Sequence, residues 1–480
     1  MENAPKLPPF GLRDKTGYLL GDFGNDFTFI LSTLILSKFY TDVMGISAGA
    51  VGTIMMLARF VDAVTDVTMG RICDRSKTTA AGKFKPWIRR MCVPVALASF
   101  LIYAPGLVEP EKLAAIPGSL KIGYLAVTYI LWGSFMYTGI NIPYGSMASA
   151  ISPEPGDRQS LSTFRTMGGM LAGMIIGVAL PLLCYSKIPL ADGSVKETLV
   201  GTRVALAALI FSVLAVISYL LCYRLVFERV RVEDTPGSRQ QEPSVGQMLR
   251  SAVTNRALLS IIAASVVMLL AQLTMQNMGS YIFPDYYGSA AAQSASTMLM
   301  MGGMIIAAIF AKPLAAKFGK AEVSVVSNLV AAAVCVLLFI VRPQSVIIYM
   351  AMQFLMWLGL GIFSMVNWAL ITDVIDYAEL KNGIREDGAV YALYSFARKL
   401  GQALAAGLSG WLLEGIGYNS AAAAEGLAQT EPVLEGIFNI STLVPALGFA
   451  LLGLILWFWY PLHKKQVDAN VAALKEKHSQ

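Results

Sequence analysis

The stretch Val51–Gly70 reads VGTIMMLARFVDAVTDVTMG. Its length and apolar content are those of a membrane-spanning helix, which needs about 20 apolar residues. It also carries two carboxylates, Asp62 and Asp66. Four residues apart on a helix, they share one face, with Cβ atoms about 5–6 Å apart. A charge at membrane depth costs at least ~2.5–3.5 kcal/mol. Two on one face must therefore look at a polar cavity, a cation or a basic partner, which makes them candidates for a coupling-ion site. The competing reading is a structural ion pair with Arg59, three residues before Asp62.

The whole chain is of the same kind. Of its 480 residues 56% are hydrophobic and 14% charged, against about 25% charged in soluble domains. Mean hydropathy is +0.60. Apolar runs fall near 17–40, 46–73, 88–107, 121–148, 160–185 and 200–224, then near 257–284, 291–312, 322–341, 344–372, 388–415 and 435–460. The reading is an all-α membrane protein with twelve transmembrane helices in two six-helix bundles. Between the two sets, Glu228–Arg256 (ERVRVEDTPGSRQQEPSVGQMLRSAVTNR) is polar, carries Pro and Gly, and reads as a linker. The expected organisation is a first bundle over 1–227, a cytoplasmic linker over 228–256, a second bundle over 257–462 and a cytoplasmic tail over 463–480. The first fifteen residues are polar and Pro-rich and show no cleavable signal.

Loop charge sets the expected orientation. Arg75, Lys77, Lys83, Lys85, Arg89 and Arg90 follow the second span, and Lys312, Lys317 and Lys320 follow the eighth. Basic loops alternate with neutral or acidic ones, which puts both termini and the linker in the cytoplasm of a cell whose inner membrane holds the protein. The net charge of +6 is spread over these short loops and does not suggest nucleic acid. A basic loop recurs between the second and third spans of each half. That suggests two parallel repeats, the build of major facilitator transporters, with substrate held at the midplane.

Five cysteines without a CxxC pair indicate neither a disulfide frame nor a zinc site. The two histidines, His463 and His478, are both in the tail, so no histidine relay or histidine-bound metal operates in the membrane. No nucleophile stands with a base, which speaks against an enzyme.

Six motifs carry a resemblance. They are YTDVMGISAGAVGT (Tyr40–Thr53), ARFVDAVTDVTMGRICDRS (Ala58–Ser76), GKFKPW (Gly82–Trp87), NIPYGSM (Asn141–Met147), DVIDYAELKNGIREDG (Asp373–Gly388) and YSFARKLGQAL (Tyr394–Leu404). Together they resemble the glycoside–pentoside–hexuronide:cation symporters over nearly the whole chain, with the second half closer to glucuronide and xyloside carriers. The resemblance implies uptake of a sugar, a glucuronide among the options, driven by Na⁺, Li⁺ or H⁺, with no other cofactor. It places Asp62, Thr65, Asp66 and Thr138 at the cation site, with Na⁺ an option at Asp62 and Asp66. Carboxylate and hydroxyl oxygens suit a small hard cation, and a close carboxylate pair can instead share protons. Where melibiose carriers of the family have Asn, this chain has Thr65, which leaves protons open.

For the sugar, the resemblance points to Asp26, Tyr137, Asn141, Arg165 and Lys399, with Asn367 and Trp368 as weaker candidates. Asp26 can accept from sugar hydroxyls and Arg165 can donate in a planar fork. Relative to melibiose carriers, Asn25 replaces a lysine, Asn141 an aspartate and Gly145 a tryptophan, which fits a different, larger or anionic glycoside. Arg398 and Lys399 point about 100° apart on a helix, so one of the two is expected to face the cavity. The alternative for Arg165 and Lys399 is charge balance of the aspartates.

Gating ion pairs are expected from Asp74, Arg75 and Lys83 after the second span and from Asp373, Asp376 and Arg385 after the tenth. The bland reading of these is solvated loop charge. Gly168, Gly169, Ala172 and Gly173 form a small-residue face that close helix packing explains. The protein is expected to work as a monomer in the lipid bilayer. Two competing readings keep the fold: an uncoupled carrier of lipids or drugs, and a sensor that binds sugar without moving it. Counterflow of labelled sugar separates a sensor from a carrier.

Overall fold

A computed structural model describes residues 8–189, 195–230, 255–382 and 387–479. Among these residues eleven helices are long and apolar enough to cross a membrane. The first six are α1 (Leu12–Asp42), α2 (Ala48–Arg75), α3 (Lys85–Leu107), α4 (Gly118–Ile151), α5 (Pro155–Cys184) and α6 (Gly201–Leu225). Next come α7 (Arg256–Tyr286), α8 (Ala290–Phe318), α9 (Lys320–Val341) and α10 (Val346–Leu380). The more polar helix α11 (Asp387–Gly415) follows, then α12 (Glu431–Trp459) and the tail helix α13 (Lys464–Ser479). Most of the linker, and Arg385 among the gating candidates, lie outside the described residues. One feature absent from the apolar pattern is an antiparallel hairpin, β1 (Tyr185–Pro189) with β2 (Val195–Leu199).

Local chemistry sets the helix ends. Ser47, Asn255 and Ser289 cap α2, α7 and α8 by accepting a backbone N–H three residues on, which satisfies a donor the first turn leaves open. Gly319, at φ +105, forms the whole connection between α8 and α9. Few residues other than glycine adopt that angle.

The chain forms two compact units, one built on the first six helices and one on the last six. The first also takes in Tyr418–Gln429, from the connection between α11 and α12. Within the first unit α1 packs on α5 and α6, α2 on α4, and α3 on α4 and α6. Within the second, α7 packs on α11 and α12, α8 on α10, and α9 on α10 and α12. The two lists are the same with each number raised by six. The halves are therefore repeats in packing, whereas the expected second basic loop is not a loop: Lys312 and Lys317 lie in the last turns of α8 and Lys320 opens α9.

Helix α2 shows why its aspartates turn inward. Val51, Met55, Ala58, Met69 and Cys73 are buried, and Leu57, Phe60, Val64 and Val67 are exposed. Apart from one gap in the buried set, each advances by three or four residues, the signature of a helix with one packed and one outward face. Asp62 and Asp66 continue the packed stripe through its gap between Ala58 and Met69.

Candidate functional site

The inward stripe of α2 meets α4. There the Asp62 carboxylate accepts a hydrogen bond from Ser134 Oγ at 2.5 Å and one from Arg59 Nη1 at 3.3 Å. Asp66 accepts from Thr138 Oγ1 at 2.8 Å. Two hydroxyls four residues apart on one helix thus face two carboxylates four residues apart on the other. The α4 backbone widens into a π turn over Leu131–Tyr137, a device that recurs at functional sites. The turn carries Ser134, and Thr138 follows it directly. Thr65 is half-buried between the two aspartates in sequence, and its hydroxyl donates to the carbonyls of Val61 and Asp62 on its own helix, each at 3.1 Å. The Arg59 pair with Asp62 is present beside these hydroxyl contacts. The carboxylate and hydroxyl oxygens gathered here are the ligand type of small hard cations.

A second cluster lies on α1, α4 and α5. Arg165 Nε donates to Asp22 Oδ1 at 2.9 Å. The guanidinium lies over the Tyr144 ring at 5.3 Å, and that ring stacks on Tyr18 at 4.6 Å. Asp26, one helical turn beyond Asp22, is half-buried. Both carboxylates crowd Gly169 of α5. A Cβ there would lie 2.5 Å from Asp26 Oδ2 and 3.2 Å from Asp22 Oδ2. The small-residue face of α5 thus has two uses. Gly168 admits the Leu19 carbonyl, 2.5 Å from where its Cβ would be, which is helix packing. Gly169 makes room for acid groups, which packing alone does not explain.

The neutral substitutions noted in the sequence fall together. Asn25 Nδ2 donates to Asn141 Oδ1 at 3.4 Å, and Tyr219 Oη donates to Asn25 Oδ1 at 2.8 Å. Tyr137 is half-buried, with its ring stacked on Phe29 at 5.6 Å.

In the second unit the Asn367 amide is committed within the protein. Its Nδ2 donates to Tyr394 Oη at 2.5 Å, and Ser265 Oγ donates to its Oδ1 at 3.5 Å. Trp368 is 47% exposed, with the Arg398 guanidinium 5.7 Å over its ring. Lys399 is half-buried on α11.

The gating candidates divide. Asp74 and Arg75 are exposed, while Lys83 is buried with its Nζ donating to the Asp74 carbonyl at 2.8 Å. The backbone N–H groups of Lys83, Phe84 and Lys85 all donate to the Glu228 carboxylate, at 2.7, 2.9 and 2.7 Å. Glu228 thereby closes the N-terminus of α3, where an anion is favoured. In the second unit Lys320 Nζ meets Asp373 Oδ1 at 2.6 Å, and Asp376 is half-buried one turn on.

Sequence reasoning passed over Asp22, Ser134, Glu228 and Lys320 as site residues. A signal existed for the first two. Asp22 precedes Asp26, and Ser134 precedes Thr138, by the same four residues that separate Asp62 from Asp66. Glu228 and Lys320 had no comparable local signal.

A repeated six-helix packing scheme with polar clusters buried among apolar spans defines a multi-pass membrane transporter of major facilitator type, not an enzyme. The chain belongs to the MFS/sugar transport protein family, whose model matches residues 17–464. This agrees with the resemblance to the glycoside–pentoside–hexuronide:cation symporters. It is 30% identical over 469 residues to the uncharacterized symporter YjmB of Bacillus subtilis, covering 97% of this chain and 96% of the relative. It is 28% identical over 468 residues to the glucuronide carrier protein homolog of Escherichia coli, covering 97% and 96%. Among solved structures, a D-xylose-proton symporter superposes with a TM-score of 0.62 at 13% identity, covering 94% of this chain and 97% of that one. That match speaks to the fold alone.

Proposed function

We propose that this protein is a secondary active symporter that takes up a glycoside or hexuronide, a glucuronide being the leading option, on a Na⁺ or H⁺ gradient across the inner membrane. The observation that carries the coupling is the pairing of Asp62 with Ser134 and of Asp66 with Thr138. Each hydroxyl can turn its proton away and offer a lone pair instead. An arriving cation then finds carboxylate and hydroxyl oxygens together, and an arriving proton finds two carboxylates on one face of the helix as acceptors. Asp26, Tyr137, Asn141 and Arg165 are assigned to the sugar, with acceptor, aromatic, amide and fork chemistry respectively. Lys399 is assigned to it on its family position alone, and Asn367 of α10 is kept as a weaker candidate.

The work is alternating access, in which ion binding favours the sugar-competent state. Linkage makes the effect mutual: the ion raises sugar affinity by the factor with which sugar raises ion affinity. The protein acts as a monomer with both termini in the cytoplasm. The glucuronide option draws support from the name of the Escherichia coli relative and from the Arg165 fork.

The test is uptake into vesicles under an imposed Na⁺ or H⁺ gradient, with methyl β-D-glucuronide and methyl β-D-glucoside as labelled probes. Accumulation should follow one gradient and collapse in Asp66→Asn. Uphill uptake that persists in the double variant Asp62→Asn, Asp66→Asn would defeat the assignment. Binding without counterflow would favour a sensor.

A further inference from the structure

Asp22 sits next to the sugar cluster, yet no family motif and no sequence argument singled it out. Its carboxylate takes the Nε edge of Arg165 at 2.9 Å. The flat face of the same guanidinium is held over Tyr144. That ring is itself fixed: it stacks on Tyr18, and its hydroxyl donates to the Tyr18 carbonyl at 2.6 Å. One edge and one face of Arg165 are therefore committed. The Tyr18 hydroxyl also reaches the guanidinium, and the Nη1 corner of the guanidinium's end faces Gly145.

Gly145 lies beside that end. A Cβ built on Gly145 would stand 3.8 Å from Arg165 Nη1, so any longer side chain would cover the fork. With glycine there, the Arg165 side chain stays 39% exposed although it belongs to a membrane-spanning helix. A planar pair of N–H donors of this kind matches a carboxylate in a bidentate fashion.

Resting on the transport reading above, we propose that Asp22 is a positioning residue that sets substrate specificity. It holds Arg165 by Nε so that the Nη fork opens past Gly145 toward the carboxylate of an acidic sugar. It has a second effect on the same cluster. Asp26 lies beside it over Gly169, and the guanidinium engaged by Asp22 is kept from quenching Asp26. Asp26 is thereby preserved as an acceptor for sugar hydroxyls. Without the Asp22 charge, Asp26 becomes the nearest counter-ion for Arg165, and both the fork and the acceptor are lost at once.

The experiment compares initial uptake of methyl β-D-glucuronide and methyl β-D-glucoside in the unaltered carrier, Asp22→Asn, Asp22→Glu and Gly145→Leu. The readout is the ratio of kcat/KM for the acid over the neutral sugar, which a general loss of folding does not move. Asp22→Asn should lower that ratio about tenfold or more, the usual effect of misplacing a charge-assisted hydrogen bond, and Asp22→Glu should restore most of it. Gly145→Leu should lower it as well while leaving the Asp22 pair in place. An unchanged or increased ratio in Asp22→Asn overturns the inference, because Asp22 would then be a bystander or a mere repeller of anions. Failure of the unaltered carrier to move either sugar overturns the transport reading and this inference with it.

Discussion

Replacing Gly169 with alanine is a steric probe of the Asp22–Asp26 cluster and of its proposed assignment to the sugar. The new methyl would meet Asp26 Oδ2 at 2.5 Å and Asp22 Oδ2 at 3.2 Å, and real Cβ contacts essentially never fall under 3.0 Å. Gly168 beside it lies against the Leu19 backbone of α1, the helix that carries both aspartates, so α5 and α1 are tightly docked rods here and the end of a side chain yields before they do. The Asp26 carboxylate has to rotate off its position. Overpacking of this size costs about 1–3 kcal/mol, and a displaced carboxylate forfeits a sugar hydrogen bond worth roughly 1.5–3 kcal/mol. The expected outcome is a sugar KM raised about tenfold to a hundredfold, with the ion dependence of uptake unchanged because Asp62 and Asp66 lie on another helix.

Two controls calibrate the effect. Gly70→Ala, with nothing within 4 Å of its Cβ, should behave as the parent. Gly168→Ala, which would press a methyl to 2.5 Å from a carbonyl oxygen, should lower melting temperature and yield. The assay is concentration-dependent uptake together with thermal melting in detergent. A Gly169→Ala carrier with parental KM would refute the assignment of Asp26 to the sugar.

Other outcomes follow from the same geometry. Ser134→Ala removes a 2.5 Å hydrogen bond from Asp62 and should shift the half-saturating Na⁺ or H⁺ concentration about tenfold, whereas Thr65→Ala should shift it less because its hydroxyl serves its own helix. Glu228→Ala strips three backbone donors of their acceptor and should destabilise the first unit by about 2–4 kcal/mol, seen as a lower melting temperature. Lys320→Ala leaves Asp373 buried without its counter-ion and should slow transport, with the exchanged pair Lys320→Asp, Asp373→Lys recovering part of the rate.

Much of this protein was legible in one dimension. Twelve apolar runs imply twelve helices because a bilayer leaves each span to satisfy its own backbone hydrogen bonds. Asp62 and Asp66 announced themselves because a carboxylate among apolar neighbours is expensive and helical periodicity puts the two on one side. The recurrence of basic residues between the second and third spans of each half gave notice of a repeat, and the packing schemes match in the two halves although the second set sits on helix ends and not in a loop.

What the chain order concealed were partnerships across long separations. Ser134 reaches Asp62, 72 residues away, through a π turn that no apolar period encodes. Arg165 could have balanced any of several aspartates, and the packing of α5 on α1 awarded it to Asp22, 143 residues earlier. Gly168 and Gly169 look alike in a sequence, yet one receives a backbone carbonyl and the other a pair of acids. Periodicity along a helix says which residues share a face, because that follows from the geometry of a single helix. Which donor meets which acceptor depends on the rotation and depth of two helices against each other, and tertiary packing alone decides that.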